Sequence, residues 1–134
     1  MAVLSVYGVS RYNQITANPA VNVYSSAPAS NVALVAGDFD SLGTTAFSTA
    51  IAYASWLIAT PYWNDFALNA AGIATIPKSP AGACAKFGLR IVYDATNNAP
   101  GRTGSGYLDA LLFYFSEKGA GYKPKLVVTY TVPT

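Results

Sequence analysis

Short runs of valine, isoleucine, threonine, tyrosine and phenylalanine, each broken by glycine, proline, asparagine or aspartate, extend along the whole chain and restrict it to β structure. The clearest run covers residues 85–93. Phe87, Leu89, Ile91 and Tyr93 fall on one side of an extended backbone, Lys86, Gly88, Arg90 and Val92 on the other. That period of two marks a strand with one buried face. Residues 3–7 read as a strand that Gly8 ends. In residues 21–25, Val21 and Val23 alternate with Asn22 and Tyr24, an apolar face against a polar and aromatic one. Residues 64–68 form another strand. Residues 111–116 are apolar throughout and predict a strand buried on both faces, and residues 125–132 predict a long closing strand. Residues 41–56 are ambiguous, because alanine favours helix while β-branched and aromatic residues favour strand. They are expected to make a helical turn over 41–48 and a strand over 50–56. Residues 69–76 predict a short helical turn or a loop, and residues 94–106 a loop. The sum is one antiparallel β-sandwich domain over residues 1–134, all-β, with one short helical segment.

Composition narrows the function classes. The 134 residues suit one domain; 52% are hydrophobic and 10% charged, which excludes intrinsic disorder. A net charge of +2 from eight Lys and Arg argues against nucleic-acid binding. The sequence has no histidine, so mechanisms that need an imidazole base or a histidine metal ligand are excluded. Cys84 is the one cysteine, so no intrachain disulfide forms. Between small neighbours it reads as a small hydrophobic residue of a strand. Residues 1–10 lack the basic start and continuous apolar core of a signal peptide. Residues 41–64 carry no charge over a membrane-spanning length, but their Gly, Ser, Thr and Pro content argues against a membrane helix.

Several motifs carry a resemblance when taken in order. They are Ala2-Val3-Leu4-Ser5-Val6-Tyr7-Gly8, Asn22-Val23-Tyr24, Ala33-Leu34-Val35-Ala36-Gly37-Asp38-Phe39, Ile51-Ala52-Tyr53-Ala54-Ser55-Trp56, Phe66-Ala67-Leu68-Asn69, Phe87-Gly88-Leu89-Arg90 and Pro124-Lys125-Leu126-Val127-Val128-Thr129-Tyr130. Together, over nearly the whole chain, they resemble the jelly-roll sandwich domains of the DNRLRE and carbohydrate-binding-module type, as found in phage and metagenomic viral structural proteins. The resemblance implies a jelly-roll-like sandwich and a non-catalytic role in surface binding or assembly. It also implies a place in a virion assembled in the host cytoplasm. It supplies no set of ligand residues. In such domains the Leu-Ser-Val-Tyr strand follows earlier strands, whereas here it starts at Met1. The expectation is either a compact version or a strand supplied by a neighbouring subunit or a longer polypeptide.

Ten tyrosines and two tryptophans are the most functional-looking feature. Aromatic faces stack on sugar rings and anchor protein interfaces; their commoner use is packing. Tyr12, Tyr53, Trp56, Tyr62, Trp63, Tyr107 and Tyr122 fall in or near predicted loops and strand ends. Tyr62, Trp63, Tyr107 and Tyr122 are the candidate ligand-binding residues, with Tyr62-Trp63 beside Pro61 as the expected exposed patch. Asp38 and Asp40 would share a face of a strand as paired carboxylates, but Gly37-Asp38-Phe39-Asp40-Ser41 reads more simply as a turn with a helix cap. Asp94, Asn97 and Asn98 offer oxygen ligands for a structural calcium, with Asx turns as the simpler reading. Arg90 reads as a solvated strand charge or a partner of Asp65 or Asp94. No residue set supports catalysis. A charge-poor surface suggests subunit contacts. The expectation is a non-enzymatic structural or assembly protein, a capsid-decorating or fibre domain that contacts copies of itself or other virion subunits. The alternative is a carbohydrate-binding module that holds a glycan.

Overall fold

Two strands organise the chain, each the middle of its own antiparallel sheet. The computed structural model describes residues 1–15, 18–78, 83–99, 106 and 108–132. In chain order the elements are β1 (Ala2–Asn13), β2 (Ala20–Ser26), β3 (Leu42–Ala46), β4 (Ile51–Ala52), β5 (Trp63–Ala67), α1 (Ala70–Ala74), β6 (Phe87–Ile91), α2 (Val92–Ala95), β7 (Asp109–Phe113) and β8 (Lys125–Val128). Single 3-10 turns lie at Ala36–Ser41, Tyr53–Ser55 and Ser116–Lys118.

In the first sheet β1 pairs with β5, β7 and β8. The N–H of Leu68 donates to the Ala2 carbonyl at 2.9 Å and the N–H of Gly8 to the Tyr62 carbonyl at 2.8 Å, both on the β5 side. The N–H groups of Thr129 and Tyr114 donate to Met1 and Tyr7 on the opposite side, at 2.8 and 3.0 Å. β8 and then β7 therefore follow one another along one edge of β1, and β5 lies along the other. Gly8 does not end the strand as its sequence suggests. It sits where the β1–β7 register shifts, a bulge that lets the strand continue to Asn13. In the second sheet β6 runs along one edge of β2, and β4 and β3 share the other.

The sheets pack face to face as an all-β sandwich. Val6, Phe66 and Leu68 of the first sheet region meet Val21, Val23 and Phe47 of the second, with Trp56 inserted from the connection after β4. Opposite residues of an antiparallel pair share a face. Ala2, Leu4 and Val6 thus point inward, while Val3, Ser5 and Tyr7 point outward.

Several expectations are corrected. The helical turn expected over residues 41–48 lies earlier: a 3-10 turn ends at Ser41, and β3 occupies Leu42–Ala46. The carbonyls of Leu42 and Gly43 accept from Arg90 at 3.2 and 2.8 Å, and pairing with β2 overrides the alanine content. Residues 50–56 give only the two-residue β4 before a 3-10 turn. β7 is not buried on both faces. Leu111 and Phe113 pack on the core, but Leu112 is exposed, as is Phe115 beyond the strand. The strand of residues 85–93 shortens to Phe87–Ile91, because α2 turns Tyr93 away. Cys84 lies outside any strand and is exposed. Among the described residues no helix is long and apolar enough to cross a membrane.

Asn64 fixes the connection before β5. Its side-chain oxygen accepts from the Leu57 N–H at 2.8 Å, and its amide donates to the carbonyls of Leu57 and Tyr62 at 3.1 and 3.2 Å. A Cβ on Gly8 would fall on the Leu57 carbonyl oxygen and within 2.7 Å of the Asn64 amide nitrogen. Gly8→Ala is expected to lower stability by about 1–3 kcal/mol, the range of an overpacked core site. Asn64→Leu should cost about 1–3 kcal/mol by orphaning buried backbone groups. Urea unfolding followed by circular dichroism measures both.

Candidate functional site

Tyr7 points away from the core because of its parity on β1, and four other rings gather round it. Trp63 lies directly across on β5. Its ring meets Tyr7 edge-on at 5.4 Å between centroids. Tyr62, in the turn before β5, stacks on Tyr7 at 4.9 Å with 7° between the planes. Tyr62 adopts φ 63°, an uncommon conformation for a bulky residue, and this carries its ring over Tyr7. Tyr114 and Tyr122, beyond β7 and before β8, close the other side at 5.9 and 5.0 Å.

Two lysines sit on these rings. Lys125 places its Nζ 3.8 Å from the centre of the Trp63 ring, and Lys118 places its Nζ 4.7 Å from that of Tyr114. Both distances suit cation–π attraction. The turn that carries Lys118 is held by Glu117. Its own backbone N–H, then the Ser116 hydroxyl, holds its carboxyl below the usual carboxylate range. Burial beneath the cluster, and then the nearby phenols of Tyr62, Tyr122 and Tyr114, push the Tyr7 phenol up.

Of the four aromatics singled out in the sequence, Tyr62, Trp63 and Tyr122 come together here. Tyr107 lies outside the described residues. Tyr122 is exposed, whereas Tyr62 and Trp63 are half-buried. Trp56 lies in the core and Tyr53 beneath Arg11, whose guanidinium is 4.8 Å from its ring centre. Tyr7, Tyr114, Lys118 and Lys125 escaped sequence reading, because only the strand register shows which residues face one another. The rings pack largely on one another, so the cluster is first an outer layer of packing. What it still offers a ligand is Tyr122, the rims of its neighbours and two ammonium groups. That suits an apolar ring face, with cations for hydroxyl or anionic groups at its edge.

The remaining candidates have structural partners. Asp38 accepts from the N–H of Ala29 at 3.2 Å and from that of Val35 at 2.9 Å. It lies in a 3-10 turn with Asp40, so the two are not paired on a strand face. Arg90 is no solvated charge: it bonds Asp94 at 2.7 Å and the start of β3. With its carboxylate on a guanidinium, Asp94 fits poorly as a calcium ligand beside Asn97 and Asn98. A broad groove of about 780 Å³ lies between residues 28–42 and 84–87 and is lined mainly by apolar groups, Leu34, Val35, Phe39 and Phe87 among them.

No protein-family model, curated protein or solved structure matches the chain.

The Tyr7 phenol carries a sign for pH. Its folded value lies above the usual tyrosine value of 10.0. Its contribution to stability is therefore fully present below that pH and is lost as pH rises through the raised value. In an ultraviolet titration of phenolate, Tyr7→Phe should remove a component that ionises above the ordinary tyrosines. An unchanged curve would place the raised phenol elsewhere.

Proposed function

We propose that this chain is a non-catalytic assembly module, a β-sandwich that contacts copies of itself or other subunits of a larger particle. The observation that carries this reading is the apolar character of its surface. Val32 is 96% exposed, and Leu34, Val35, Phe39, Phe115, Tyr130 and Val132 are also open to solvent. Patches of this kind mark protein contacts in soluble proteins. The absence of histidine from the sequence, and the engagement of Asp38 and Asp94 with neighbouring groups, also favour a role without catalysis. The virion setting, as a capsid-decorating or fibre domain, rests on the family resemblance.

A second reading, a carbohydrate-binding module, is favoured by the Tyr122 and Trp63 rings with Lys118 and Lys125 beside them. Light scattering on a sizing column and glycan titration followed by tryptophan fluorescence separate the two. Assembly predicts a mass above that of one chain and no glycan response. Sugar binding predicts a saturable fluorescence change that Trp63→Ala and Tyr122→Ala abolish, and a monomer that shows it would replace the assembly reading.

A further inference from the structure

The core layer thins steadily toward β8. Across the inner face of the first sheet, Phe66, Leu4 and Leu126 stand in one row and Leu68, Ala2 and Val128 in the next. Phe66 and Ala2 are each 1% exposed, but Leu126 is 37% and Val128 42% exposed. Two side chains on the core side of the sheet are thus left in solvent at its margin.

The backbone beside them is also open. Thr129 uses both its N–H and its carbonyl on Met1, at 2.8 and 2.9 Å. Antiparallel strands alternate in direction, so Leu126 and Val128 turn their N–H and C=O groups away from β1. Among the described residues no strand pairs with that edge. Edge strands are usually protected by a charge, as Asp65 stands on β5. β8 has its one charge at its first residue, Lys125, whose Nζ lies on the Trp63 ring, and residues 126–132 carry none.

We infer that this edge is a subunit seam, filled by β8 of a second copy running antiparallel about a two-fold axis. The inference rests on the assembly reading and names the place. A strand seated here needs open backbone groups on its edge and apolar side chains on the core side, and β8 itself has both. Antiparallel pairing sets the two Lys125 residues at opposite ends of the ribbon, so no like charges face each other. It joins the two four-stranded sheets into one with a continuous inner face, covering Leu126 and Val128, which one copy leaves 37% and 42% exposed. A two-fold contact is closed, so its product is a dimer.

Val128→Pro tests the seam, because it removes an N–H that points away from β1 and leaves the β1 ladder intact. Light scattering should give twice the chain mass for the native protein and the chain mass for the variant. Amide exchange on the native chain should show Leu126 and Val128 protected at high concentration and unprotected on dilution. An oligomer whose mass survives in folded Val128→Pro, or whose two amides exchange freely, overturns the seam and leaves the assembly reading standing. A native chain that stays monomeric at every concentration overturns the seam and self-assembly together. If the variant does not fold, by circular dichroism, the exchange pattern of the native chain decides.

Discussion

One strand, β1, holds the first sheet together, because among the described residues β5, β7 and β8 each pair with it and not with one another. A strand of twelve residues with neighbours on both edges must bend to stay on a twisted sandwich, and the bulge at Gly8 supplies the bend. The same residue lets the Leu57 carbonyl and the Asn64 amide approach the strand. Register, core and connection therefore meet at a position where only a hydrogen fits. β1 is consequently central in its sheet, with β5 along one edge and β8 and β7 along the other, and β8 leaves an open margin.

The strands were legible where the two faces differ in chemistry. Val21 and Val23 face the core while Asn22 and Tyr24, buried as well, lie on the other side of β2; Phe87 and Leu89 pack against the core while Gly88 and Arg90 lie on the other side of β6. Legibility failed where pairing partners decide. Gly8 reads as a stop and is a bulge. Residues 42–46 read as helical from their composition, but β2 and Arg90 draw them into the sheet. The apolar run 111–116 reads as doubly buried, yet its outer face is open. The aromatic cluster was half legible for the same reason. Tyr62, Trp63 and Tyr122 stand in turns or at strand ends, where sequence signals mark them, while Tyr7 is an ordinary strand residue until the register sets Trp63 opposite it.

Irregular segments are fastened by side-chain amides and not by cross-links. Asn22 in β2 donates to the Ser48 carbonyl at 2.8 Å and accepts from the Ser48 hydroxyl, as Asn64 does for residues 57–62 in the other sheet. Each buried amide meets backbone groups that would otherwise be unsatisfied. Arg11 works in the same way, donating to the carbonyls of Tyr53, Ala54 and Trp56 at 2.5, 2.8 and 3.1 Å.

This use of polar groups bears on the surface. Arg11 is aimed at three carbonyls, Arg90 at Asp94 and β3, Asp38 at two backbone amides, and Lys118 and Lys125 at aromatic rings. A chain with few charges thus uses many of them to bind its own parts together, even where, as at Asp94, Lys118 and Lys125, the side chain stays exposed. Exposed apolar side chains such as Val32, Leu34 and Phe39 share that exterior with them.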